Sequence, residues 1–330
     1  MRIRIAQLAI VLTMALVGAA STLADDASET FPNRTVQLVI PFAAGGSSDS
    51  VMRVLANNIG KEWARPVIID NRPGATGAIA GEFVLRQPAD GYTLLNAAPS
   101  SHTALRALRR DLPYDPMTDL RPATLVAIAP MMLVVNAKKI PSRTVSELID
   151  YLHQNPNKVS YASTGIGSVA HLSVELFKIL TKTEMIHVPY RGNAPALNDL
   201  LAGNVDLTID VSSSVAPYLN SETIRPIAVT TAKRSPFFPE IPAVSETVPG
   251  FEAFSWNGIV VRAGTPKDIV EKIRAGFARA VREPSAVKLL SGMYMEAVGS
   301  TPEEFQTLIE NDRQRWERVV GAIKLDDMPR

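Results

Sequence analysis

Two stretches of the chain carry residue types and spacings that could do chemistry. Residues 41–50 read Pro-Phe-Ala-Ala-Gly-Gly-Ser-Ser-Asp-Ser, and residues 163–171 read Ser-Thr-Gly-Ile-Gly-Ser-Val-Ala-His. In each, an apolar run ends, glycines turn the chain, hydroxyl side chains follow and a helical pattern begins. Glycine lets the backbone take positive φ and approach a ligand closely, while the first turn of a helix offers unpaired N–H groups at the positive end of its dipole. The chemistry this suits is anion binding. In the first stretch Gly45, Gly46, Ser47 and Ser48 lead to Asp49 at the helix start; in the second, Ser163, Thr164, Gly165, Gly167 and Ser168 lead to His171, one turn in. An ordinary strand-to-helix turn with a capping Ser or Asp gives the same pattern, so the pair is worth more than either member.

Other candidates are weaker. An apolar strand over 93–98 empties at Ala98 into Ser100 and Ser101, and an alternating strand over 205–210 ends at Asp210 before three serines. Asp210 suits a ligand amine or hydroxyl as well as it suits capping the next helix. The four histidines, at 102, 153, 171 and 187, form no H-E-x-x-H pair, and the absence of cysteine excludes disulfides and thiolate metal sites. Neither glycine loop reads G-x-x-x-x-G-K-S/T or G-x-G-x-x-G, so no nucleotide or redox cofactor is expected. A secreted serine hydrolase pairing a loop serine with His171 is the enzymatic alternative. It lacks the G-x-S-x-G elbow around Ser47, Ser48, Ser163 or Ser168.

The elements that must position these residues alternate strand, loop and helix. Val51, Val54, Leu55 and Ile59 fall on one helical face that stops at Gly60; 66–70 reads as a short buried strand, followed by a turn-rich 71–77 and an alanine-rich helix. That order predicts parallel sheets, in which ligands lie beyond the carboxyl ends of strands. The almost continuously apolar 123–136 suits a strand passing between two lobes, and 251–261 suits a second crossing. Thr265-Pro266 and Thr301-Pro302-Glu303-Glu304 predict helix starts, the latter as a capping box.

Arg2 and Arg4, an apolar core over 6–17 and small residues after it have the order of a secretory signal peptide over 1–24, cleaved after Ala20 or Ala24. The core is shorter than the ~20 residues a spanning helix needs. Removing the leader takes two of the 34 basic residues, against 33 acidic ones, so the mature chain is near neutral. With no basic run, nucleic acid and polybasic membrane contact are not expected as partners. Roughly 300 mature residues suffice for two lobes.

Residues 41–49, Asn71-Arg72-Pro73-Gly74 through Gly77, Asp90-Gly91-Tyr92-Thr93-Leu94, the loop 163–171, His187-Val188-Pro189-Tyr190 and Gly264-Thr265-Pro266, in that order, resemble the Bug family. These are the extracytoplasmic solute receptors of tripartite tricarboxylate transport systems, and the resemblance covers essentially the whole mature chain. It implies an α/β two-lobed periplasmic binding protein of type II, each lobe a mainly parallel sheet flanked by helices, with two hinge crossovers. Lobe 1 would comprise 25–125 and 251–330, lobe 2 126–250. It further implies a monomer that closes on a small organic acid in the periplasm and serves membrane permease subunits; a sensor domain is the alternative partner. The cleft would be lined by Phe42, Gly45 to Asp49, Ser163 to Ser168 and His171, with the strand ends near Ala98 to Ser101 and Asp210 as further candidates. Where the family often has a bulkier amide or aromatic residue shortly after the counterpart of Asp210, this chain has Val211-Ser212-Ser213, so the ligand's distal group is left open.

Overall fold

The computed structural model describes residues 31–323; the expected signal peptide lies outside them. The strands are β1 (Val36–Ile40), β2 (Val67–Asn71), β3 (Thr93–Ala97), β4 (Leu120–Asn136), β5 (Ser160–Ser163), β6 (Ile186–Pro189), β7 (Leu207–Val211), β8 (Ile224–Val229), β9 (Phe254–Arg262) and β10 (Glu296–Ala297). The longer helices are α1 (Ser47–Glu62), α2 (Ala78–Leu85), α3 (Val145–Gln154), α4 (Val169–Thr181), α5 (Asn193–Ala202), α6 (Lys267–Ala280), α7 (Pro284–Gly292) and α8 (Pro302–Ala322). No helix among the described residues is long and apolar enough to cross a membrane.

The strands form one path, β2-β1-β3-β9-β4-β7-β5-β6, with β8 and β10 also pairing β4. Each half keeps a parallel trio, β2, β1 and β3 in one and β6, β5 and β7 in the other. The two long strands join them antiparallel, because a chain that crosses between halves and returns must run in opposite directions. Strand β4 is 17 residues long: 120–130 pairs with β9, and Met131 to Val135 with β7. Its prolines sit where the ladder permits them. Pro122 adjoins a register shift, and Pro130 stands opposite Phe254, the first residue of β9, just before pairing with β7 takes over at Met131.

Apolar periodicity places the helices on these sheets. The α1 stripe of Val51, Leu55 and Ile59 packs with Leu38, Ile40, Ile273 and Phe277 in one core, and the α4 stripe of Leu172, Leu176 and Phe177 packs with Leu133, Tyr161 and Ile209 in another. Helix α8 belongs to both halves: Phe305 and Ile309 enter the core around Trp256, whereas Trp316, Val319 and Val320 enter the one around Tyr161. Between them Asp312 accepts hydrogen bonds from Thr103, Trp256 and Arg315.

Three local expectations need correction. The 66–70 strand is not buried: β2 is an edge strand, with Ile68 half exposed. No side chain caps α1, whose N-cap is Gly46. The helix after Thr265 starts one residue late, because the Thr265 hydroxyl donates to the Arg262 carbonyl and closes the turn out of β9 instead of capping. At Thr301 the capping box forms as expected, with Glu304 N–H donating to Thr301 Oγ1 at 3.2 Å and Thr301 N–H to Glu304 Oε2 at 2.9 Å.

Candidate functional site

Register brings the two glycine loops to one place. On β3, Ala97 lies opposite Gly258 of β9, which lies opposite Leu125 of β4; on β7, Val211 lies opposite Met131. The carboxyl ends of both parallel trios therefore point toward the middle of β4, with on the order of 20 Å of strand between them at about 3.3 Å per residue. The loops after β1, β2 and β3 face those after β5, β6 and β7 across that interval. Contact already exists: a Cβ on Gly167 would lie 3.1 Å from both methyls of Leu108, in the segment after β3.

The first loop is braced from behind by Asp49. Its Oδ2 accepts from Gly45 N–H at 2.9 Å and Arg53 Nε at 2.8 Å, and its Oδ1 accepts from Asn71 Nδ2 at 2.9 Å. Asn71, at the end of β2, also donates to the Phe42 carbonyl at 3.1 Å. Burial acts to raise the Asp49 pKa, but the hydrogen bonds from Arg53, Gly45 and Asn71 together hold it down to about 2. Of the glycine pair, only Gly45 has positive φ, +84°; Gly46 is extended and serves as the N-cap. A glycine cap has no side chain to accept from the first-turn amides, and residues 43–47 are exposed. The loop thus presents backbone donors outward.

The second loop satisfies more of itself. Ser168 caps α4 by accepting from His171 N–H at 3.2 Å, His171 Nδ1 accepts from Gly167 N–H at 3.1 Å, and Ser163 Oγ accepts from Gly165 N–H at 3.2 Å. Its exposed face is left to Thr164, Gly165, Ile166 and Ser168. His171 is fully buried and its pKa falls to about 3, through burial first and the neighbouring His187 and Lys178 second. The two jaws are therefore unequal.

The remaining expected residues reach the same edges in different roles. Ser101 is buried and closes its own turn, accepting from Ala98 N–H at 3.2 Å; Ala98 is buried, and Ser100 is partly exposed. Gly77 packs here too, since a Cβ on it would fall 2.5 Å from Ser101 Cβ and 3.3 Å from Pro41 Cβ. Asp210 is buried at the end of β7, its Oδ1 accepting from Asn193 Nδ2 at 2.6 Å and Val211 N–H at 2.7 Å, and burial pushes its pKa up to about 6 against those hydrogen bonds. Phe42, Gly45 to Ser48, Ser100, Thr164, Gly165 and Ser168 reach solvent, whereas Asp49, Ser101, Ser163, His171 and Asp210 stand behind them.

Sequence reasoning missed Arg53, Asn71, His187 and Asn193. The Asp49–Arg53 spacing of four, with the acid N-terminal, is a helix ion-pair signal that could have found Arg53; the others depend on strand pairing. Among the described residues, no group of three His, Asp or Glu side chains could hold a metal. A depression of about 510 Å³ lined by Glu82, Arg86, Tyr114, Asp119 and Arg262 lies at the far end of the first sheet, where β4 begins and β9 ends.

The model of the tripartite tricarboxylate transporter family receptor matches residues 51–325. BugT of Bordetella pertussis is 32% identical over 306 residues, covering 92% of this chain and 94% of its own. Among solved structures, R. palustris Rpa4515 with adipate is 39% identical with a TM-score of 0.77, over 88% of this chain and 97% of its own. MatC from Rhodopseudomonas palustris with bound malate is 32% identical with a TM-score of 0.75, over 88% of this chain and 100% of its own. The fold is that of the two-lobed type II periplasmic binding proteins, and the chain belongs to the tripartite tricarboxylate transporter receptor family, as a solute receptor and not an enzyme.

Proposed function

We propose that this receptor captures a small carboxylate in the periplasm, in the cleft between the two glycine loops, and delivers it to membrane permease subunits of a tripartite tricarboxylate-type transporter. The observation that carries this is the register of β4, which aims the carboxyl ends of both parallel trios, and the loops that follow them, at one interval. A carboxylate would be met by the first-turn amides of α1 and by the Ser47, Ser48, Thr164 and Ser168 hydroxyls. The guanidinium beside the first loop, Arg53, is already paired with Asp49, so dipoles and water carry the recognition. Helix-end contacts contribute ~0.3–2 kcal/mol each and neutral hydrogen bonds ~0.5–1.5, so several acting together reach the roughly 8 kcal/mol of micromolar binding. The lobes, divided near residues 125 and 251, close about the middle of β4 and the start of β9.

Relatives solved with adipate and malate make aliphatic diacids the first solutes to test. A thermal-shift screen of mono-, di- and tricarboxylates against neutral sugars should show stabilisation by carboxylates alone; stabilisation by a sugar and by no carboxylate removes the anion site. Gly46 is extended, and a Cβ there would be 3.5 Å from the Ala43 carbonyl oxygen, so Gly46→Val introduces bulk without backbone strain. We expect at least about tenfold weaker binding by calorimetry, or about 1.4 kcal/mol, with the melting temperature nearly unchanged.

A further inference from the structure

We propose that His187 is a positioning residue of the cleft: stacked on Tyr161 and His171 and bonded to Ser163, it holds the Gly165 side of the second glycine loop in its ligand-facing shape, while the His171 ring beside it holds Gly167 only as a neutral imidazole. The proposal rests on the proposed function for the claim that this loop meets the solute. Pairing of β5 with β6 puts Tyr161 beside His187, with ring centroids 4.8 Å apart and planes 14° from parallel. His187 also stacks on His171, at 4.2 Å and 13°, with Tyr161 and His171 themselves 6.4 Å apart and nearly parallel. The stack lies directly behind 163–168, joined to it by hydrogen bonds from two rings.

Those bonds fix the tautomers. His171 Nδ1 accepts from Gly167 N–H, so the proton of that ring is on Nε2, which is buried with no partner. Ser163 Oγ makes three contacts, to His187 Nε2 at 2.7 Å, Gly165 N at 3.2 Å and the Gly165 carbonyl at 3.2 Å. A hydroxyl has one proton to give and two lone pairs. All three contacts hold together only if His187 Nε2–H and Gly165 N–H both donate to Oγ, and the hydroxyl donates to the Gly165 carbonyl. Each glycine of the loop is thus fastened by one histidine, Gly167 directly and Gly165 through Ser163. A proton added at Nδ1 of His171 would set N–H against N–H and release Gly167, whereas one added at Nδ1 of His187 would leave its bond to Ser163 in place.

Burial, more than the charged groups around the stack, favours neutrality. Tyr161 on β5 donates its hydroxyl to Glu175 of α4 at 2.5 Å, and Glu175 is paired at 2.8 Å with Lys178 of the same helix. The two charges largely offset one another at the rings. Burial, as the first cause, holds His187 down to about 4. A His187 that only filled space would leave Gly165 indifferent to the loss of its hydrogen bond to Ser163.

Nitrogen-15 imidazole and amide NMR of the ligand-free full chain tests this. At pH 7 both rings should be Nε2–H tautomers, and on acidification the Gly167 amide should shift with the His171 imidazole transition. His187→Phe keeps a stacked ring and loses the bond to Ser163, so the Gly165 amide should lose its hydrogen-bonded position; His187→Gln should restore it. An Nδ1–H tautomer at His171, a Gly167 amide unmoved by the His171 titration, or a Gly165 amide unaffected in H187F overturns the proposal. Should H187F fail to fold, the wild-type tautomers and titration decide. No solute is needed, so a failed carboxylate screen would sink the site while leaving the loop device standing, and the converse also holds.

Discussion

Both carboxylate oxygens of Asp49 are occupied by its own loop and neighbours, and this makes it a brace of the first glycine loop. Asp49→Ala leaves the Gly45 amide, Arg53 and Asn71 without their acceptor. We expect a loss of ~1–3 kcal/mol in urea unfolding and about tenfold weaker carboxylate binding, with Asp49→Asn losing less because one acceptor remains. Unchanged stability in the alanine variant would refute the brace. The stabilisation from Asp49 is present above pH 3.8 and is lost as pH falls through its folded value of about 2. A carboxylate in the first turn was visible in the sequence as a residue near an anion site, and its partner Arg53 was within reach of the i, i+4 rule. Asn71, 22 residues away in the chain, was not, because only the parallel pairing of β1 with β2 puts it beside the loop.

Elements in this fold are fitted to one another at glycines that sequence patterns do not explain. Gly258 lies in the middle of β9, and a Cβ on it would fall 2.1–2.9 Å from the ring atoms of Phe305 on α8. Gly258→Ala should therefore destabilise by ~1–3 kcal/mol through overpacking. Adding Phe305→Leu should recover part of that loss, since the two side chains compete for one volume. Full additivity in the double-mutant cycle would mean the clash is relieved elsewhere. Helix faces and the Thr301 capping box were readable because they depend on spacing along the chain. The β2 edge was misread because an apolar run of four or five residues looks alike in a buried and in an outermost strand.

At the scale of the whole molecule, two buried histidines, His102 and His171, and the partly buried His187 set the response to acid. Burial lowers His102 and His187 to about 4 and His171 to about 3, against about 6.5 when unfolded. The unfolded chain therefore binds more protons as pH falls from about 6.5 toward 4, and stability drops over that window. Asp210, raised to about 6, and Asp312, also raised, act oppositely: their stabilisation is present below pH 3.8 and is lost as pH rises through the folded values. The histidines outnumber them, so urea midpoints should fall between pH 6.5 and 4, by on the order of a few kcal/mol in total at about 1.4 kcal/mol per pKa unit. A flat profile over that range would contradict the neutral state of the three rings. By itself the sequence determined what depends on neighbours along the chain: the alternation of strand, loop and helix, the long apolar crossing strand, the two glycine loops and the family they resemble. The tertiary structure alone decided which loop residues face outward and which brace from behind, that one jaw leaves its amides open while the other satisfies its own, and that α8 serves two cores. Those outcomes turn on strand register and burial, which bring together residues such as Asn71 with Asp49 and Tyr161 with His187 that no local pattern connects.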